Sequence, residues 1–174
     1  VEYEALGQRF DDRARRISEQ VKVLRLLFTQ EIVDYTGPYH RIDRAGLNPM
    51  PVQQPIPIWM GGNADAAMKR IARIGDGWYT HAQPTEAGRA AFARFRGYVR
   101  DAGRDPDTYP IEGRVNVARL AGPDAWVATA RAFAEMGCTH VEVNTMGAGY
   151  ASLASHLEAL ERFRAGAADL FTAR

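Results

Sequence analysis

Pro57-Ile58-Trp59-Met60-Gly61-Gly62-Asn63-Ala64-Asp65-Ala66-Ala67-Met68-Lys69-Arg70-Ile71-Ala72-Arg73-Ile74-Gly75-Asp76-Gly77-Trp78-Tyr79 is the stretch that decides the fold. A short apolar run stops at two glycines, a helix opens with Asn63 as its expected cap, and Gly75 closes it before a second short aromatic strand. The pattern is a β-α-β unit with a ligand-facing turn. Gly61 and Gly62 carry no Cβ, so the backbone there can pass close to a bound group. The helix that follows begins with unpaired N–H groups at the positive end of its dipole. Such a turn can hold a phosphate. A tight strand-to-helix turn also needs glycine for its own sake, and that reading stays open beside the first. Asp65, in the same helical turn, competes for the positive end unless its side chain points away.

Working outward, the alternation of strand and helix continues. Asp76 to His81 reads as a short strand, and Glu86 to Ala102 as a helix with Phe92, Phe95 and Val99 inward. A turn cluster from Asp105 to Pro110 precedes a strand from Ile111 to Leu120. Pro123-Asp124 starts a further helix, with Val127, Ala130, Phe133 and Ala134 on one side and Gly137 at its end. His140 to Thr145 is the next strand, Gly147 and Gly149 make a second glycine-rich turn, and Ala151 to Arg164 is the last helix, with Leu153, Leu157, Leu160 and Phe163 apolar. Upstream, Phe10, Ala14, Ile17, Val21, Leu24 and Phe28 form one stripe on a helix of about five to six turns from Arg9 to Thr29. Val33 to Ile42 alternates around Gly37-Pro38 as a small hairpin would. Pro49, Pro51, Pro55 and Pro57 then impose an extended connector.

Alternation at this spacing argues for a parallel sheet with helices on its outer face. The strands are not uniformly apolar. Glu112, Arg114 and Asn116 alternate with Ile111, Gly113, Val115 and Val117, and Glu142 and Asn144 alternate with Val141 and Val143. A doubly wound sheet would bury both faces in hydrocarbon, whereas a barrel interior accepts polar residues near its ligand end, so a barrel segment is favoured. Arg114 and Glu142 are expected to neutralise each other there; exposure at the strand ends is the other reading.

The totals set bounds. With 22 Lys plus Arg against 21 Asp plus Glu the formal charge is +1, and the basic residues are scattered, so nucleic acid is not an expected partner. Cys138 is the only cysteine, which excludes an intrachain disulfide and a cysteine zinc cage and fits a reducing cytoplasm. No apolar run approaches the ~20 residues of a membrane span. Val1 in place of an initiator Met leads us to expect a fragment.

Several stretches together resemble the luciferase-like oxidoreductases, the bacterial luciferase superfamily of flavin- and deazaflavin-dependent enzymes. They are residues 2–7, the hairpin Tyr35-Thr36-Gly37-Pro38-Tyr39, residues 48–55, Ile58-Trp59-Met60-Gly61-Gly62-Asn63, Gly75-Asp76-Gly77-Trp78, and residues 143–149. The resemblance implies an α/β fold of the TIM-barrel (β/α)8 family, here as a C-terminal half barrel of about four parallel strands with outer helices and a small hairpin insertion. Residues 1–174 are then one domain. It implies that Gly61, Gly62 and Asn63 sit at the end of the fifth barrel strand, where the cofactor phosphate is held. The cofactor implied is coenzyme F420, the deazaflavin, or FMN; the glycine-turn and 144–147 stretches resemble the F420 branch more closely. The expected activity is hydride transfer to or from an organic small molecule. An FMN-dependent monooxygenase is the alternative, and a catalytically silent half barrel that only binds or assembles is the third possibility.

His81 ends the second strand on the rim where barrel enzymes place functional side chains, and Thr80 beside it can hydrogen-bond a ligand; both join the glycine turn as candidate cofactor-binding residues. A surface histidine and a turn-capping threonine are the plain readings of the same two. Lys69 and Arg70 read as solvated helix charges, Trp59 and Trp78 as core or rim aromatics able to lie beside a planar ring. His40, His140 and His156 lack acidic partners at metal-ligand spacing, so no metal site is expected. No residue is assigned a catalytic role, since the redox chemistry belongs to the cofactor. An open four-stranded sheet leaves two edges unpaired, so self-association as a homo-oligomer, or pairing with an N-terminal half barrel, is expected.

Overall fold

The computed structural model describes residues 2–171. The chain forms two compact units that divide between Ile58 and Trp59.

The first unit opens with a one-turn helix, α1 (Glu2–Ala5), and a long helix, α2 (Arg13–Thr29). Helix α2 begins four residues later than the apolar stripe suggests, because Asp11 and Asp12 are drawn into local pairs. Arg9 holds Asp11 at 3.0 Å, and Asp12, at the helix entry, pairs with Arg16 at 3.2 Å. Phe10 is left outside, 59% exposed, with its ring edge-on to Tyr3 and under the Arg13 guanidinium. Of the expected stripe, Val21 is buried and Ile17 and Phe28 are half-buried, while Leu24 is 38% exposed; Glu19 and Val23, outside the stripe, are buried as well. Glu19 Oε1 accepts the backbone N–H groups of Tyr39 (3.1 Å) and His40 (2.9 Å) and lies 3.1 Å from His40 Nδ1, fastening the hairpin tip to the helix. That hairpin is antiparallel, β1 (Val33–Thr36) against β2 (Arg41–Ala45), with an irregularity after Val33 where Arg44 takes a positive φ of 45°. Asp34 Oδ1 accepts the Arg44 N–H at 2.8 Å and holds the irregular step. The proline-rich run to Pro57 is in neither helix nor strand.

The second unit is a run of β-α repeats: β3 (Trp59–Gly61), α3 (Asp65–Ile74), β4 (Gly77–Tyr79), α4 (Glu86–Asp101), β5 (Ile111–Asn116), α5 (Pro123–Glu135), β6 (His140–Asn144) and α6 (Leu153–Gly166). The four strands make one parallel sheet in chain order, β3-β4-β5-β6. This is the α/β wall anticipated from the sequence. Strand β4 is shorter than the Asp76–His81 reading, so Thr80 and His81 follow the strand and do not end it. Three other boundaries differ for a local polar reason. Strand β5 stops at Asn116, not Leu120, because the Asn116 side chain accepts the Ala118 N–H at 3.2 Å and turns the chain into a 3₁₀ helix over Val117–Arg119. Helix α6 starts at Leu153 because Ser152 and Ser155 form a reciprocal cap. Helix α3 starts after Ala64, which carries no side-chain cap bond; Asn63, the expected cap, directs its side chain elsewhere.

One face of the sheet is apolar and helix-covered. Met68, Ile71, Trp78, Phe92, Phe95, Val99, Tyr109 and Ile111 form one buried cluster; Val115, Trp126, Ala130, Phe133, Ala159 and Phe163 form a second. Gly113 is required where β5 crosses Phe133, since a Cβ there would run into the ring. The other face carries the alternate residues Trp59, Tyr79, Glu112, Arg114, Asn116, His140, Glu142 and Asn144. That face is concave. Trp59 on β3 meets His140 on β6 edge-on with ring centroids 4.9 Å apart, although two strands lie between them and neighbouring strands are ~4.8 Å apart. Gly77 makes the crossing possible, for a Cβ on it would collide with the Trp59 indole.

Candidate functional site

The carboxyl ends of β3 and β4 bring the five candidate residues into one neighbourhood. At Gly62 the backbone takes φ +137°, a region closed to ordinary side chains, and a Cβ would lie 2.9 Å from that of Ala67. Gly61 is exposed at the strand end, with Tyr79 O 3.5 Å from where its Cβ would be. The bend is fixed from behind: the buried Trp78 indole donates Nε1–H to Gly62 O at 2.9 Å. Thr80 is 2% exposed, donates its hydroxyl to Asn63 Oδ1 at 3.2 Å and accepts the Ala82 N–H at 3.0 Å. Thr80 therefore presents Asn63 to the rim instead of facing it directly. His81 is exposed on the rim, its ring edge-on to Tyr79 at 5.8 Å. Asp65 points sideways, its carboxylate 3.7 Å from Arg94 Nε on α4.

These residues fit the phosphate of a nucleotide-like cofactor. A ten-residue helix without a side-chain cap, a bend of two residues that carry no side chain and an acidic neighbour paired with Arg94 leave amides for an anion. Among the described residues, no group of His, Cys, Asp and Glu could hold a metal ion. No described helix is long and apolar enough to cross a membrane.

The concave face adds a polar cluster at the centre of the sheet. Arg114 Nε donates to Glu142 Oε2 at 2.8 Å, the pair anticipated from strand alternation. The Tyr79 hydroxyl donates to the same oxygen, reaching across β5, and its ring lies beneath the Arg114 guanidinium at 4.8 Å. Glu112 completes the group. Burial first, then its hydrogen bond and charge repulsion with Glu142, push its carboxyl up to about 7. It is thus a group that holds or releases a proton near neutrality. Strand parity already placed Glu112 on one face with Arg114, but its contact with Glu142 was not anticipated; Tyr79 escaped the reading because only the β4–β5 register brings it to this face. Cys138, the lone cysteine, is pushed up to about 12, chiefly by burial, and stays a thiol.

Comparison with known proteins agrees with this architecture. A family model described as luciferase-like monooxygenase matches residues 1–172. An uncharacterised protein of Mycobacterium tuberculosis is 34% identical over 168 residues, 93% of this chain and 55% of that protein. The F420-dependent hydroxymycolic acid dehydrogenase of the same organism is 30% identical over 121 residues, 70% of this chain and 32% of the enzyme. The FMNH2-dependent dimethylsulfone monooxygenase of Pseudomonas fluorescens is 32% identical over 92 residues, 51% of this chain and 25% of the enzyme. In fold, the crystal structure of monooxygenase RslO1 from Streptomyces bottropensis superposes with a TM-score of 0.76 at 18% identity, covering 98% of this chain and 65% of that one. The chain thus spans about half the length of the first curated relatives it matches. With a glycine-turned parallel α/β wall and a family match along nearly its whole length, the chain belongs to the luciferase-like monooxygenase family.

Proposed function

We propose that this chain is the cofactor-phosphate-holding half of a luciferase-like oxidoreductase that uses coenzyme F420. The observation that carries the reading is the convergence of an open helix terminus, the Gly61-Gly62 bend and the Thr80-supported Asn63 at one end of the wall. The bend and the first amides of α3 bind the anionic tail, Asn63 lends a side-chain polar group, and His81 stands at the rim beside Tyr79. When bound, the deazaflavin supplies hydride exchange with an organic small molecule. On the concave face, Arg114 and Tyr79 both donate to Glu142, and Glu112 beside it, with its carboxyl raised to about 7, holds or releases a proton near neutrality.

FMN is the second reading, supported by the relative that uses FMNH2; the same turn would hold its phosphate. A complete enzyme needs the remainder of a barrel, so the proposal includes self-association or pairing with an N-terminal half barrel. Support comes from the outer strands β3 and β6, each paired on one side, and from Leu153, Leu157 and Leu160, which are 74%, 49% and 38% exposed along α6. A cytoplasmic location belongs to the same proposal. Titration with F420 and with FMN, followed by absorbance and then by turnover, tests it. Saturable binding of one of them that Gly61→Val abolishes is expected; no binding of either refutes the cofactor reading. Binding without turnover identifies a silent half barrel. Sedimentation as a compact monomer at micromolar concentration refutes self-association.

A further inference from the structure

A polar recess of about 180 Å³ opens beside the rim, lined by His81, Gln83, Arg114, Asn116, Arg119 and Leu120. Its lining contains two guanidinium groups and no carboxylate. Arg114 spends only its Nε edge, on Glu142; its two terminal amino groups have no further hydrogen bond among the described residues. Arg119 is exposed and makes no ion pair among the described residues. It stands in the 3₁₀ turn that ends β5, and that turn exists because Asn116 Oδ1 accepts the Ala118 N–H. The same bond commits the amide oxygen of Asn116 and leaves its NH₂ donors for a ligand. Three donor side chains therefore converge on one recess whose lining holds no carboxylate.

We propose that this recess binds a carboxylate or phosphate group of a small-molecule ligand, with Arg119 as its main anchor. Guanidinium groups suit both anions, because parallel N–H donors match two oxygens of either. The recess adjoins the rim residue His81, whose neighbour Thr80 holds Asn63 at the glycine turn, so two anion sites lie at one end of the sheet. Taken as the substrate's anchor, the recess gives the organic substrate an acidic group; that part rests on the cofactor reading, whereas anion binding at Arg119 does not.

Backbone amide spectra of the full chain, titrated separately with inorganic phosphate and with acetate, test the proposal. At least one anion is expected to shift the amides of residues 81–83 and 114–120 saturably, with a dissociation constant of about 1 mM or tighter. The anion that does so more strongly identifies the group. Arg119→Gln is expected to weaken this binding about tenfold, with the rest of the spectrum preserved, and Arg100→Gln, on an exposed part of α4, to leave it unchanged. Shifts confined to residues 61–66, absence of any shift at 81–83 and 114–120 with both anions, or equal binding by the Arg119→Gln protein would overturn the proposal. Recess shifts without shifts at 61–66 would support it and count against the phosphate cradle, so the two readings fail separately.

Discussion

Gly62→Ala tests the turn on which the functional reading depends. Two costs add. The backbone at φ +137° lies where a Cβ is strongly disfavoured, worth about 1–3 kcal/mol. The new methyl also lies 2.9 Å from Ala67 Cβ, closer than carbon atoms approach without a shift, and overpacking of that kind adds about 1 kcal/mol. The expected loss is about 2–4 kcal/mol, a large share of a domain's stability. Gly61→Ala is the matched control: φ is not positive there, and its nearest neighbour would be Tyr79 O at 3.5 Å, ordinary contact, so the loss should stay within about 0.5 kcal/mol. Urea unfolding of both variants and of the parent gives the comparison. Ala67→Gly added to Gly62→Ala removes the overlap and leaves the backbone strain; a double-mutant cycle should return a favourable coupling of about 1 kcal/mol. Equal losses for the two alanine variants, or complete recovery in the double variant, would refute the argument that backbone conformation makes Gly62 necessary.

Three further outcomes follow from other contacts. Thr80→Val leaves the Ala82 N–H without its acceptor and Asn63 without its donor; a loss of about 1–3 kcal/mol and faster hydrogen exchange at Ala82 are expected. Glu112 carries a raised carboxyl, so the folded chain binds more protons than the unfolded one between about 4.5 and 7 and loses stability as pH rises through that window; Glu112→Gln should flatten the slope in pH-dependent unfolding. Glu19 behaves oppositely. Burial pushes its carboxyl up, but the amides of Tyr39 and His40 and the His40 ring outweigh this and leave it below its usual value. Its stabilisation is therefore present above pH 4.5 and fades as pH falls below it, and Glu19→Gln should remove that acid dependence, read by amide exchange at Tyr39 and His40.

Periodicity was a good guide wherever apolar side chains alone set the structure. The order of strands and helices, the inward faces at Phe92, Phe95, Val99, Ala130 and Phe133, and the Arg114–Glu142 pair were all legible, because parity on a strand and spacing on a helix fix direction before any contact is known. Boundaries set by a single polar side chain were not. Asn63 has the chemistry of a helix cap and serves another partner, Thr80, which only the neighbouring strand brings within reach. Asn116 ends β5 through a bond to its own chain two residues on, a choice a strand-forming sequence does not reveal. The burial of Glu19 on α2 was not legible because its partners, the Tyr39 and His40 amides and the His40 ring, come from a hairpin about twenty residues away. At the candidate site the glycines announced themselves, whereas Tyr79, Glu112 and Arg119 matter only through neighbours on other strands or through the recess they line.

In the second unit every strand lies beside the one before it in the chain. Each new strand then needs only its own helix and two loops to find its place, so nascent chain leaving a ribosome can add one layer at a time to a growing edge. Sequence-local assembly of this kind makes the β-α repeat the natural unit of truncation and graft: a cut in the loop after α3, α4 or α5 removes whole layers and leaves the hydrogen-bond ladders of the earlier ones intact.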